Sequence, residues 1–137
     1  MAFLFYSIGE LKNAFGGKLS NSDILICGGT TPVGKISDCF HISLPSGLIT
    51  KKLNHLLESR STGAYLTIKN VGLWIIGGND KDSLHSSTSM IADVSQTVYG
   101  PTLPGTWTSM CAAQINETSF FIGGKYNLLI SSLRSQS

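Results

Sequence analysis

The side chains able to do chemistry are few and scattered. His41, His55 and His85 are the three histidines of a 137-residue chain, and none stands in a His-x-His or His-x-x-x-His spacing. A metal needs several ligands held at about 2 Å from one ion, so each histidine is assigned a structural place, and neither a metal centre nor a cofactor is expected. The cysteines, Cys27, Cys39 and Cys111, are odd in number and contain no Cys-x-x-Cys, which argues against a zinc site and against a dense disulfide framework. Asn79-Asp80-Lys81-Asp82 places two carboxylates in one loop, without the further oxygen donors of a calcium-binding loop. The expectation there is a solvated turn whose Asp80, Lys81 and Asp82 are open to a partner. No catalytic constellation is visible, and no catalytic residue is assigned.

Asn116-Glu117-Thr118 satisfies the acceptor pattern for N-linked sugar and falls at an expected turn, so its use depends on secretion. The hydroxyl run Ser86 to Ser89 reads as polar groups on a strand surface. Trp74 lies inside an apolar run and is expected in the core. Trp107 follows Pro104-Gly105-Thr106 at a strand entrance, where an exposed indole suits partner contact, because aromatic residues are enriched among binding hot spots.

The elements that position these groups are hairpins. In the stretch Arg60 to Gly78, Ala64, Leu66 and Ile68 alternate with Gly63, Tyr65 and Thr67, the period of two that gives a strand one apolar face. Asn70-Val71-Gly72 supplies a turn. Leu73 to Ile76 is wholly apolar and so suits a strand covered on both faces. Gly77-Gly78 ends it, because glycine alone accepts positive φ or close backbone approach without steric cost. The doublets Gly28-Gly29, Gly77-Gly78 and Gly123-Gly124 each close an apolar run and recur about fifty residues apart, the mark of a repeat array. First strands are expected over Ala14–Leu19, Gly63–Ile68 and Met110–Ile115, and third strands over Asp38–Ser43, Ser86–Asp93 and Asn127–Ser132. Gly16-Gly17 falls off this period and is placed in the hairpin that precedes Ile24. Across Thr50 to Glu58 the apolar residues fall at helical spacing, yet a fourth strand followed by a loop is favoured because that position in the repeat demands one.

A turn centred on residue 33 sets Cys27 and Cys39 opposite each other on second and third strands. The pair admits a cross-strand disulfide, but two small buried hydrophobes is the reading adopted, and Cys111 on a first strand is likewise expected to be buried.

With Arg60 about seventeen residues before its doublet and a Gly100-Pro101-Thr102-Leu103-Pro104 segment leading out of the second unit, the chain resembles kelch repeats. The resemblance covers about residues 14–130 and implies an all-β protein of antiparallel four-stranded sheets, the blades of a kelch-type β-propeller, in units of roughly 11–59, 60–105 and 106–137. Two full units and a partial third cannot close a ring of four to eight blades, so an incomplete, open propeller is expected. The remaining blades would come from a longer protein or, as a lesser alternative, from other copies of the chain. The implied function is protein–protein interaction through the propeller loops. The alternative is a portion of a kelch-type oxidase or sugar-processing enzyme whose active site lies outside this chain; carboxylates, tyrosines or histidines converging on the axis would favour it, and small or apolar residues there would favour the binder.

Composition narrows the partners further. Ten basic and eight acidic residues give a net charge of +2 with no run of one sign, a poor match for nucleic acid. Met1 to Tyr6 is apolar but too short to span a membrane and lacks preceding basic residues, so neither membrane insertion nor a secretory leader is expected within it; a leader on a longer parent stays open, as does the compartment. Glycine at 15 residues and charge at 13% describe strands and turns more than disorder.

Overall fold

A computed structural model of the chain describes residues 10–82, 86–106, 111–124 and 127–132. They form antiparallel strands and, among the described residues, no helix. The first sheet contains β1 (Phe15–Lys18), β2 (Asp23–Cys27), β5 (Asp38–Ser43) and β6 (Leu48–His55) in that order, with a small hairpin, β3 (Thr30–Thr31) and β4 (Gly34–Lys35), between β2 and β5. The second contains β7 (Ala64–Ile68), β8 (Gly72–Ile76), β9 (Ser89–Ala92) and β10 (Thr97–Tyr99), and the third β11 (Cys111–Gln114), β12 (Ser119–Gly124) and β13 (Asn127–Ser132). Each is a meander in which sequential strands are neighbours, and none closes on itself. The helical spacing across Thr50 to Glu58 is overridden because β6 completes a ladder with β5, from Ser43↔Leu48 to Asp38↔His55.

The three sheets pack face to face with the second in the middle, and β8 shows why its residues are apolar without alternation. Leu73 and Ile75 point into a core shared with Phe15, Leu25, Cys27, Cys39 and Leu56 of the first unit. Trp74 and Ile76 point the other way, into a core shared with Phe120 and Ile122 of the third. All five residues of β8 are buried. The indole of Trp74 meets the ring of Phe120 edge to face, with centroids 5.4 Å apart. The first strands lie side by side, β7 touching both β1 and β11. Gly17 permits that approach, since a Cβ there would lie 2.2 Å from the Thr67 methyl.

Cys27 and Cys39 are paired across β2 and β5 and are joined in a disulfide, which corrects the reading of two unlinked hydrophobes. Both are fully buried, but their register brings the Cα atoms to 4.1 Å, close enough for the bond. Cys111, expected in the core, is an exposed free thiol. The alternation of β11 explains it: Ala112 faces the second sheet opposite Ile122, so Cys111 and Ala113 face the uncovered side. The corresponding outer face of the first sheet carries Ile24, Ile26, Phe40 and Ile42, all half-buried.

Because Ile75 is wholly enclosed between two sheets, Ile75→Ala is expected to lower unfolding free energy by about 2 to 5 kcal/mol. Equilibrium denaturation in urea checks this, and a loss under about 0.5 kcal/mol, the range of surface changes, would contradict the enclosure.

Candidate functional site at the glycine-doublet end

Residues 56–63 cross from β6 to the next sheet and run between two glycine doublets. The Gly29 N–H donates to the Arg60 carbonyl at 2.8 Å, while the Arg60 guanidinium donates through Nη1 to the Gly77 carbonyl at 2.9 Å. One residue further on, Ser61 and Asn79 exchange a pair of backbone bonds of 2.8 and 3.0 Å. The doublets allow this crossing. Gly28 and Gly78 have φ of 68° and 90°, in the left-handed region, and a Cβ on them would stand 2.6 Å from the Arg60 carbonyl oxygen and 2.5 Å from that of Ser61.

Among the described residues Arg60 is the largest buried polar side chain, with no exposed surface. Its Nη1 also reaches the Thr88 carbonyl at 3.2 Å, and its Nη2 donates to the Thr88 hydroxyl at 2.7 Å and to the Glu58 carboxylate. The Thr88 hydroxyl donates to Glu58 Oε1 at 2.9 Å, so the Ser86 hydroxyl, 2.8 Å away, is the donor in its bond to Thr88. Burial lowers the pKa of Arg60 from its ordinary value, and the nearby carboxylates of Glu58 and Asp80 oppose that shift. The guanidinium remains charged, as arginine does in proteins.

Outward from this network, Glu58, Ser59, Asp80 and Lys81 line a cleft of about 330 Å³. Two carboxylates and one ammonium can hydrogen-bond or ion-pair with a polar ligand. Glu58 is tied inward to Arg60 and Thr88, and Asp80 Oδ1 accepts the Asp82 N–H at 2.8 Å, shaping the loop as an Asx turn. Lys81 and Asp82 are exposed. Val33, at the tip of the β3–β4 hairpin, stands 96% exposed and belongs to the loops of the same end.

The structure therefore gathers Gly28, Gly29, Gly77, Gly78 and Arg60 in one place and sets Asp80, Lys81 and Asp82 beside them. Gly123 and Gly124 depart from the other doublets, because they lie inside the ladder of β12 with β13, opposite Leu128 and Asn127. Asn116 lies at the far end, in the β11–β12 turn. Trp107 and His85 fall outside the described residues, as do Met110 and the apolar start at residues 1–6. The third strand expected from Ser86 begins only at Ser89, because Ser86 and Thr88 turn inward onto Glu58 and Arg60. Their hydroxyls are thus network members and not strand-surface groups, and the Ser89 hydroxyl, also buried, donates to the Pro101 carbonyl at 2.6 Å. Glu58 and Thr88 were not singled out by sequence; their one signal was proximity in the chain to Arg60 and to the hydroxyl run.

Histidines 41 and 55 each meet a carboxylate in the first sheet. His41 Nε2 lies 2.5 Å from Asp23 and His55 Nδ1 lies 3.4 Å from Asp38, both pairs bridging neighbouring strands. Hydrogen bonds from the Ser20 hydroxyl and then from His41 hold Asp23 below its ordinary carboxylate pKa, against a smaller opposing effect of burial. Among the described residues no group of three His, Cys, Asp or Glu side chains could hold a metal ion, and no helix is long and apolar enough to cross a membrane. Compared with known proteins, the chain matches no protein-family model and no curated protein.

Arg60→Ala is expected to cost at least about 1 to 3 kcal/mol, the penalty for leaving a buried acceptor without its donor, at Gly77 and Thr88. Arg60→Lys is expected to recover little of that, because a single ammonium lacks the fork that spans Gly77, Thr88 and Glu58. Urea melts of the three proteins check the order. A separate expectation concerns acid. Asp23 has a lowered folded pKa, so its contribution to stability is complete above the unfolded value of about 4 and is lost as pH falls through the folded value. The stability gap between wild type and Asp23→Asn, measured by melts from pH 7 to pH 2, is expected to hold near neutrality and to shrink on acidification below the ordinary value of 3.8. A gap unchanged throughout would contradict it.

Proposed function

We propose that the chain is an arc of a kelch-type β-propeller and serves as a protein-binding module through the loops at its glycine-doublet end. The observation that carries this reading is the arrangement of the sheets: three meanders stacked face to face, with their first strands β1, β7 and β11 adjacent. Such stacking directs every connection to one of two ends, where loops from separate sheets form a common surface. The kelch resemblance of the repeated doublets and of Arg60 supports the same reading. The half-buried apolar outer face of the first sheet suits a further blade, supplied by a longer protein or by another copy.

Binding is favoured over catalysis by what lines the inner strands. Their sequences, Phe15 to Lys18, Ala64 to Ile68 and Cys111 to Gln114, consist mainly of small and apolar residues; they contain neither carboxylate nor histidine, and their single tyrosine, Tyr65, meets the Phe15 ring edge to face. At the doublet end, by contrast, Glu58, Asp80 and Lys81 line a cleft with charges of both signs, and Asp82 and Val33 are exposed. Mixed charge on exposed loops suits a protein surface, since charge pattern sets specificity and association rate more than raw affinity.

Reversing the loop charges tests this reading. The double variant Lys81→Glu with Asp82→Lys, which leaves the Asx turn of Asp80 in place, is expected to weaken capture of a partner from the cells that make the protein by at least about tenfold, an increment of about 1.4 kcal/mol. Its thermal melt is expected to stay near that of wild type, and Glu117→Lys at the opposite end is expected to leave capture unchanged. Equal capture by all three proteins would contradict the assignment.

A further inference from the structure

The opposite end of the arc is built from tight turns, and one of them carries a modification motif that the proposed binding role does not use. We propose that Asn116 bears an N-linked oligosaccharide, on a chain that folds in an oxidising compartment.

The motif is Asn116-Glu117-Thr118, with no proline at its centre and with the hydroxyl two residues on that the acceptor pattern requires. Such a tripeptide is uninformative when buried or held in a ladder, and this one is neither. Strand β11 ends at Gln114 and β12 begins at Ser119, so the three residues form the tip of the hairpin, where Asn116 and Glu117 are exposed. The side chain of Asn116 is also oriented. Its Oδ1 accepts the N–H groups of Thr118 and Ser119 at 3.0 and 2.9 Å and the Thr118 hydroxyl at 3.3 Å. These bonds all end on the oxygen, which turns the amide nitrogen away from the turn that the oxygen faces. A sugar on Nδ2 therefore displaces none of the bonds that shape this turn.

The compartment follows from a separate observation. Cys27 and Cys39 are joined in the core of the first sheet, and disulfides persist in oxidising environments while being rare in the reducing cytosol. The compartments that close such a bond in a eukaryotic cell are those in which N-linked sugar is added. Bond and tripeptide lie in different sheets, so neither is a consequence of the other, and both point to the same cellular route.

The step balances with a lipid-diphosphate-linked oligosaccharide as donor. Asn116 Nδ2 forms a bond to the anomeric carbon of the first sugar, and that carbon's bond to the diphosphate oxygen breaks. The lipid diphosphate leaves with the electron pair, and one amide proton passes to a base of the transferase. The product places a bulky, solvated group on the turn end of the third sheet, near Gln114, Glu117 and Thr118. It leaves the doublet end clear.

The test uses the protein isolated from the cells that make it, with peptide-N-glycosidase as the probe. The proteolytic peptide spanning Asn116 is expected to carry hexose and N-acetylhexosamine mass, and the enzyme is expected to remove that mass and convert Asn116 to aspartate. Alkylation of the denatured, unreduced chain is expected to label Cys111 and to leave Cys27 and Cys39 unlabelled until reductant is added. When the chain is produced through the secretory route of a eukaryotic host, Asn116→Asp, which preserves the acceptor oxygen of the turn, and Thr118→Ala are each expected to abolish the glycosidase-sensitive shift, while Thr118→Ser retains it. An endogenous chain with Asn116 wholly unmodified, or with Cys27 and Cys39 labelled before reduction, overturns the proposal. Neither result bears on binding at the doublet end, which the loop-charge variants read separately.

Discussion

A guanidinium with no exposed surface is the constraint on which the rest of this molecule depends. Removing a charge from water costs several kcal/mol unless hydrogen bonds replace the lost hydration, and Arg60 obtains them from three directions: the Glu58 carboxylate, the Gly77 and Thr88 carbonyls, and the Thr88 hydroxyl. Each acceptor lies just outside a strand, past His55, past Ile76 and ahead of Ser89. The buried cation thereby sets the height of the 56–63 crossing, the course of the loop after β8 and the inward turn of residues 86–88. Arg60 Nε is buried without an acceptor among the described residues, as is Trp74 Nε1 in the second core, so the fork is not fully satisfied. A network short of one bond retains its geometry because losing the others would cost more.

The glycine doublets are the steric counterpart of that electrostatic demand. A charged fork can reach a carbonyl at the end of the neighbouring sheet only if the crossing strand lies almost against it. Close approach at Gly28 and Gly78 provides for this, with the carbonyls of Arg60 and Ser61 standing where a side chain would otherwise begin. The third doublet has no described crossing segment over it, and there the glycines continue the ladder with β13. The same dipeptide thus serves as a clearance for backbone in two sheets and as ordinary strand in the third.

Hydrophobic burial supplies the bulk of the attraction and divides unequally. The middle sheet has a packed neighbour on each face, so β8 is apolar at every position, whereas the first and third sheets each have a core face and an open face. Ile24, Ile26, Phe40 and Ile42 on one open face and Phe121 on the other remain half-buried. The disulfide sits in the first of the two cores and ties β2 to β5 where the small β3–β4 hairpin interrupts their connection. The two ends of the stack differ as well: tight turns close one, and the longer loops with mixed charge gather at the other.

Local periodicity determined the hairpins. Alternation over Ala64 to Ile68, the unbroken apolar run at Leu73 to Ile76 and the turn residues between them are properties of neighbours in the chain, and they define strands wherever those strands later pack. The pairing of Leu48 to His55 with β5 outweighed its helical spacing, because a sheet offers a complete ladder that an isolated helix of that length lacks. Tertiary structure alone decided what each special residue does. Thr88 and Glu58 are thirty residues apart, and no local pattern ties their hydrogen bond to Arg60. Cys27 and Cys39 are joined because the β2–β5 ladder pairs them directly, at a Cα separation of 4.1 Å. Cys111 is exposed because nothing described covers the outer face of β11, and Asn116 is presentable because its turn consumes the side-chain oxygen and not the nitrogen. Periodicity acts over a few residues, whereas burial and hydrogen-bond partnership are fixed by segments tens of residues away.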